Sequence, residues 1–163
     1  MKVLWAPWRM EYILSEGEQD CFICDLAQAE PSGANLLLYR NQHAVVLMNK
    51  YPYNNGHILV APIAHTSDLS ELTELEYFET MKLFRFSLKA LENLMNPEGF
   101  NGGLNLGKTA GAGLEEHLHF HIVPRWHGDT NFMPVIGDLR VVPEAIRETY
   151  GYLKPLFDNY GEK

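Results

Sequence analysis

The sequence lacks three features that would each assign it to a class of protein. It has no apolar run approaching the roughly 18 residues that a membrane-spanning helix needs. It has no basic excess either, because 13 Lys and Arg face 21 Asp and Glu, giving a formal net charge of −8. Without a basic patch, nucleic acid is not expected as a partner. The first residues turn polar too early for a secretory signal peptide, so we expect a cytoplasmic protein with no membrane partner.

Cysteine is scarce as well. The only two cysteines, Cys21 and Cys24, form a single C-x-x-C motif, which is too few for a disulfide framework. In a reducing compartment such a pair is more often a metal site or a redox motif than a structural crosslink. Its meaning therefore depends on whether two further ligands exist elsewhere in the chain.

What is present fits one globular domain. The 163 residues are 46% hydrophobic and 21% charged, which is ordinary for a domain with a sizeable core. Alternating or continuous apolar runs bounded by turn residues predict short antiparallel strands. We place them at 36–40, 44–48, 57–61 and 101–106, with a fifth after 113 that Pro124 should stop.

Two helices complete the predicted α+β fold. Thr73 and Glu76 form a capping box ahead of a long helix. We expect the aromatic and aliphatic stripe of this helix to pack as core across the sheet. A last helix should begin at Pro143 and reach about Tyr160, and Gly151 with Pro155 should bend or split it.

The most informative stretch is His-Leu-His-Phe-His at 117–121. Successive side chains of a strand point to opposite faces, so His117, His119 and His121 should share one face. At this chain's histidine frequency, such alternation should arise by chance roughly 0.01 times per chain. Three imidazoles in a row indicate metal binding, proton transfer or attack on phosphorus.

A glycine-rich loop, Gly107-Lys108-Thr109-Ala110-Gly111-Ala112-Gly113, leads into this strand. Glycines allow backbone N–H groups to approach and surround an anion. The loop does not match a P-loop, because the upstream glycine spacing is wrong and a strand follows it. Beside three histidines, a phosphate cradle is a better interpretation than a flexible surface turn.

His-Leu-His-Phe-His-Ile-Val-Pro matches the histidine triad motif, and the chain resembles the histidine triad (HIT) family of nucleotide hydrolases and transferases. The similarity covers about residues 37–126. The flanking segments Trp5-Ala6-Pro7-Trp8-Arg9 and Pro124-Arg125-Trp126…Gly128-Asp129-Thr130-Asn131-Phe132 resemble the bacterial branch that includes diadenosine tetraphosphate phosphorylases and hydrolases. The resemblance implies one HIT domain over 1–163, with a core at about 37–126, an N-terminal zinc-binding segment and a C-terminal helical extension.

The resemblance also implies residue roles. His119 matches the family nucleophile, which attacks the α-phosphate and forms a nucleotidyl-histidine intermediate. His121 matches the histidine that bonds phosphate oxygens and assists the leaving group. The matched substrate-binding positions are Asn49, His57, Asn105 and Gly113. A nucleophilic Nε2 needs a free lone pair, so we expect a backbone carbonyl to hold Nδ1–H of His119.

A structural zinc ion is the cofactor that the resemblance implies. Its ligands would be Cys21, Cys24, His65 and His117, a closed Cys₂His₂ set. A different interpretation, three histidines around an open catalytic metal, would leave the glycine loop, His57 and Asn49 without a role. No organic cofactor is expected.

One position departs from the family pattern. Many relatives carry Gln or Ser where this chain has Gly113, and here Leu114 follows. A side-chain donor to the phosphate is therefore missing, and backbone N–H groups, Lys108 or Thr109 would have to replace it. This leaves the substrate subclass open.

The predicted function is cleavage of a phosphoanhydride in a dinucleoside polyphosphate, with diadenosine tetraphosphate as the expected substrate. Inorganic phosphate is the co-substrate if the enzyme is a phosphorylase. The alternatives are phosphoramidate hydrolysis, nucleotidyl transfer to another acceptor, or a nucleotide-binding sensor with little turnover. The family resemblance also implies a homodimer with paired sheets.

Overall fold

The computed structural model describes residues 21–129 and 146–161. Five strands form one sheet: β1 (Leu37–Arg40), β2 (Ala44–Met48), β3 (Ile58–Pro62), β4 (Gly99–Leu104) and β5 (Phe120–Arg125). The helices are α1 (Phe22–Gln28), α2 (Glu74–Met95) and α3 (Ile146–Asp158), with short 3-10 helices at Leu69–Glu71 and Lys108–Ala110. The α+β fold predicted from the sequence is confirmed.

The strand order in the sheet is β1-β2-β3-β5-β4, and every neighbouring pair is antiparallel. Alternation along the strands divides the buried residues between two faces. Ile58, Val60, Phe120 and Ile122 belong to the cluster that α2 and α3 cover. Leu59 and Ala61 belong to the opposite cluster, which contains Ile23 of α1. His121 pairs with Leu59, so His121 lies on the α1 face.

The long helix begins as predicted. The Thr73 hydroxyl accepts a hydrogen bond from the Glu76 backbone N–H, while the Glu76 carboxylate accepts one from the Thr73 N–H. The predicted core stripe is only partly correct. Leu83 and Leu91 are fully buried, but Leu75 and Phe78, in the first turns, are more than half exposed. Periodicity identifies the apolar face of a helix without showing how far the sheet extends beneath it.

The two prolines expected to interrupt an element have different outcomes. Pro124 does not stop the histidine strand, because β5 continues through it to Arg125 and pairs it with Phe100 of β4. β5 pairs with β3 from Phe120 to Ile122, so the missing N–H of Pro124 costs no bond on that side. Pro155 lies inside α3, which runs unbroken from Ile146 to Asp158, so the helix is not split, and a bend stays a prediction. Pro143 lies outside the described residues.

Strand boundaries at β1 to β4 differ from prediction by at most two residues, as at β4, which begins at Gly99 rather than at 101. The histidine strand differs more, because β5 begins at Phe120, after His117 and His119. Among the described residues, we find no helix with the length and apolar character that a membrane crossing requires. The cytoplasmic location stays a prediction.

Candidate functional site

The histidines that the sequence singled out divide into two groups on the α1 face of the sheet. His117 and His119 precede β5, and His121 lies within it. His117 and His119 are buried, as is His57 immediately before β3. The ring centroids of His119 and His121 lie 5.0 Å apart, and those of His57 and His121 lie 5.2 Å apart. His57, His119 and His121 thus form one imidazole cluster, while His117 belongs to the other group.

His119 makes the hydrogen bond that was predicted for it. Its Nδ1 lies 2.8 Å from the backbone oxygen of His117. A carbonyl oxygen only accepts, so Nδ1 carries the proton and the Nε2 lone pair of the neutral ring is available. Burial lowers the pKa of His119 below its usual value, partly offset by the bond to His117. Burial is the larger effect and favours the neutral imidazole, and the bond to His117 leaves the lone pair of that ring on Nε2.

One backbone group determines which ring nitrogen carries the proton in His57 and in His121. The Tyr53 N–H donates to Nδ1 of His57 at 3.0 Å, so a neutral His57 carries its proton on Nε2. That atom lies 3.0 Å from Nδ1 of His121, which must accept. A neutral His121 therefore carries its own proton on Nε2 and can donate it to an oxygen of a bound molecule.

Two amide side chains border this pair. The Asn49 amide nitrogen lies 3.3 Å from His57 Nδ1, and its oxygen accepts the Tyr51 N–H at 2.9 Å. The Asn105 side-chain amide lies 3.4 Å from His121 Nε2. Because Nε2 of His121 carries a proton, we expect the side-chain oxygen of Asn105, rather than its amide nitrogen, to face Nε2. Asn49, Asn105, His57, His119 and His121 are therefore brought together.

The glycine loop is exposed over 106–110, immediately after Asn105. Positive φ angles of 76° at Gly107 and 86° at Gly111 bracket the short 3-10 turn Lys108–Ala110. Gly113 lies exposed in the segment between this turn and His117. The assignment of Gly113, Lys108 and Thr109 to phosphate binding stays a prediction.

The second group of side chains is the metal-ligand cluster, defined as Cys21, Cys24, His65 and His117. Their four candidate ligand atoms all lie within 4.8 Å of one another. Cys21 Sγ is 3.2 Å from His117 Nδ1, and Cys24 Sγ is 3.2 Å from His65 Nδ1. Zinc bond lengths of about 2.3 Å to sulfur and 2.05 Å to nitrogen give tetrahedral edges of about 3.6 Å. The 3.2 Å and 3.6 Å spacings are close to this edge, so small movements of the side chains would accommodate a tetrahedrally coordinated ion.

The chemistry of the donor atoms fits a metal as well. The Nε2 atom of His117 lies 2.8 Å from the Pro62 carbonyl oxygen and must donate to it. This leaves the lone pair of Nδ1 directed at the thiols, which is the usual orientation of a metal-bound histidine. Burial and the adjacent Cys21 raise the pKa of Cys24 to about 11. A divalent cation would reverse this preference for the thiol form.

Sequence reasoning missed three contributors to the site. Pro62 supplies the carbonyl that orients His117, Tyr53 supplies the N–H that orients His57, and the Tyr53 ring lies 5.8 Å from His121 and nearly parallel to it. Backbone groups leave no sequence signature, so Pro62 and the Tyr53 N–H could not have been found. The aromatic residue four positions before His57 was a usable signal.

Comparison with known proteins identifies the family of this chain. The HIT domain family model matches residues 32–128. An AP-4-A phosphorylase of Mycobacterium tuberculosis is 38% identical over 90% of this chain and 79% of its own length. A histidine triad nucleotide-binding protein from Sulfolobus tokodaii is 26% identical over 84% of this chain and 89% of its own, with a TM-score of 0.64. A zinc-bound histidine triad protein from Mycobacterium smegmatis, 23% identical over 90% of this chain and 99% of its own, shares the fold with a TM-score of 0.67. The chain belongs to the HIT-domain family.

Proposed function

We propose that this protein cleaves a phosphoanhydride bond of a dinucleoside polyphosphate, with diadenosine tetraphosphate as the substrate and His119 as the nucleophile. The observation that carries the proposal is the hydrogen bond from His119 Nδ1 to the His117 carbonyl. It fixes the tautomer in which Nε2 can attack. The proposal is also supported by the 38% identical mycobacterial AP-4-A phosphorylase.

The chemistry would proceed in two displacements. Nε2 of His119 attacks the α-phosphorus, a P–N bond forms, and the P–O bond to the leaving nucleotide breaks. The leaving oxygen takes the electron pair, and the Nε2 proton of His121 stabilises it. An acceptor then attacks the same phosphorus, the P–N bond breaks, and neutral His119 is restored. Asn105 and the backbone of the glycine loop are proposed to hold the phosphate oxygens, and Asn49 the ribose.

The acceptor in the second step distinguishes a phosphorylase from a hydrolase. The similarity to a protein named AP-4-A phosphorylase supports inorganic phosphate as the acceptor in this protein. With diadenosine tetraphosphate, we expect ATP and ADP to appear when phosphate is present. ATP and AMP in phosphate-free buffer would identify a hydrolase instead. Turnover of a nucleoside phosphoramidate with none of the dinucleotide would overturn the proposed substrate.

We propose that the metal-ligand cluster holds a structural zinc ion through Cys21, Cys24, His65 and His117. A bound ion would connect the first turn of α1 to His117, the residue whose carbonyl supports His119. Elemental analysis of protein purified without added metal tests this directly. One zinc per chain is expected, and a ratio near zero in freshly prepared, reduced protein would contradict the assignment.

We also propose a homodimer. β4 is the last strand in the sheet order, and Asn101, Gly102 and Gly103 in it are exposed. An outer strand edge of this kind can pair with the same edge of a second copy. Light scattering coupled to size-exclusion chromatography should give twice the 18.6 kDa chain mass. A monomer at micromolar concentration would contradict the proposal.

A further inference from the structure

The chemistry proposed above leaves one buried charge unexplained. The side chain of Asp129 is only 6% exposed. Arg125 donates to both of its carboxylate oxygens, through Nε at 2.5 Å and through a terminal nitrogen at 2.9 Å. The Trp126 N–H donates at 3.2 Å and the Asn54 amide at 2.8 Å. Four donors at a buried carboxylate give it a fixed position.

Asn54 connects the fixed Asp129 carboxylate to the turn that precedes β3. It is buried, and its amide nitrogen donates to both Asp129 Oδ2 and the Pro124 backbone oxygen, the latter at 3.0 Å. The two acceptors use both amide protons, so the side chain has one orientation. The turn that carries Asn54 is thereby attached to the end of β5, the strand that carries His121.

The same turn determines which ring nitrogen of His57 carries the proton. The Asn54 backbone oxygen accepts the His57 N–H at 3.2 Å, which closes the turn. The preceding residue, Tyr53, donates its N–H to His57 Nδ1. A displacement of the turn relative to β5 would lengthen this bond and also change the 3.0 Å contact between His57 and His121.

We propose that Asn54, held by the buried Asp129 carboxylate, is a positioning residue that fixes the tautomers of His57 and His121. The side chain of Asn54 bonds to Asp129 and to the Pro124 oxygen, outside the imidazole cluster. It holds the turn so that Tyr53 N–H, His57 and His121 form one hydrogen-bonded series that ends in a donor at His121 Nε2. The role in catalysis rests on the function proposed above, whereas the tautomer assignment does not.

Histidine tautomers can be measured directly from nitrogen-15 chemical shifts and two-bond couplings of the imidazole rings. In the wild-type protein we expect the Nε2–H form at both His57 and His121. An Nδ1–H form at His57 would overturn the proposal without any assay of activity. This arm needs no substrate, so its result is independent of whether the proposed reaction is correct.

A second experiment uses the Asn54→Leu variant, because a leucine side chain has a volume similar to that of asparagine and carries no hydrogen-bond donor. We expect mixed tautomers at His57 and His121 and a fall in kcat of roughly 10- to 100-fold, as small misplacements of reacting groups produce, with KM changed less than kcat. The matched control is Asn159→Leu, which removes a side-chain hydrogen bond from exposed Asn159 to the Pro155 carbonyl after α3 and leaves the bonds of Asn54 and Asp129 in place. Unchanged tautomers and kcat in folded Asn54→Leu would overturn the proposal. If that variant does not fold, the wild-type measurement decides.

Discussion

The backbone carbonyl oxygen of His117 accepts a hydrogen bond from Nδ1 of His119 at 2.8 Å. The same His117 directs its ring Nδ1 towards Cys21, 3.2 Å away, and its ring Nε2 to the Pro62 carbonyl. One residue therefore supports two sites, with its side chain in the metal-ligand cluster and its main chain holding His119. A disturbance of the cluster is expected to reach the imidazole cluster through this residue.

The chain contains only two cysteines, so thiol chemistry reports on the metal-ligand cluster alone. We expect two thiols per chain that react slowly with a chromogenic disulfide reagent, because a bound zinc ion holds them as ligands. A strong chelator should make both react rapidly and should lower the thermal unfolding midpoint, since metal binding free energy is part of folding free energy. Cys24→Ser should lose the metal and show the same low midpoint without chelator. Equal reactivity with and without chelator would contradict zinc binding.

Gly56 occupies a position that no other residue can fill without strain. Its φ angle is +73°, and an added Cβ would lie 2.6 Å from Met95 Sδ and 3.2 Å from both Leu91 and Pro124. We expect Gly56→Ala to lower the free energy of unfolding by about 1–3 kcal/mol, the usual cost of a left-handed backbone with a side chain. Denaturant titration measures it.

Gly103 provides the control for this substitution. It lies in β4, and an added Cβ would meet nothing within 4 Å. Gly103→Ala should therefore change stability by less than Gly56→Ala. Equal losses in the two variants would show that steric contact at Gly56 is not the cause.

The capping box at the start of α2 predicts a pH dependence of stability. Hydrogen bonds from the Thr73 hydroxyl and the Thr73 N–H lower the pKa of Glu76 below its usual 4.5. A carboxyl group whose pKa is lower in the folded state stabilises the fold fully above its unfolded-state pKa. It loses that contribution as the pH falls through the lower folded-state pKa. Thr73→Ala should cost about 1 kcal/mol at pH 7. The difference between wild type and Thr73→Ala should shrink below pH 4, and a constant difference down to pH 2 would contradict this account.

The local elements were predictable because their signals are local. Thr73 and Glu76 marked the start of α2, and the alternating histidines marked the chain that leads into β5 and the face of that strand on which His121 lies. The course of β5 through Pro124 was not predictable, because it depends on where pairing with β3 ends, which is a property of the sheet. For the same reason the exposed first turns of α2, with Leu75 and Phe78, could not be distinguished from core.

The site residues likewise divide into those that a local motif identifies and those that depend on distant contacts. The family motif named His119, His121, His57 and the four candidate metal ligands, and the structure brings each set together. The motif could not assign a role to Asp129, because its partner Asn54 is 75 residues away. Contacts of that range depend on the fold, and an isolated Asn in a turn has no distinguishing pattern.

The central claim is that His119 forms a covalent bond to the substrate. The most direct test is mass spectrometry of protein quenched with alkali milliseconds after mixing with diadenosine tetraphosphate in phosphate-free buffer. We predict an added nucleoside monophosphate on the peptide that contains His119, its loss when phosphate is supplied if the enzyme is a phosphorylase, and neither adduct nor turnover in His119→Asn. Turnover retained by His119→Asn, or an adduct on another residue, would contradict the account.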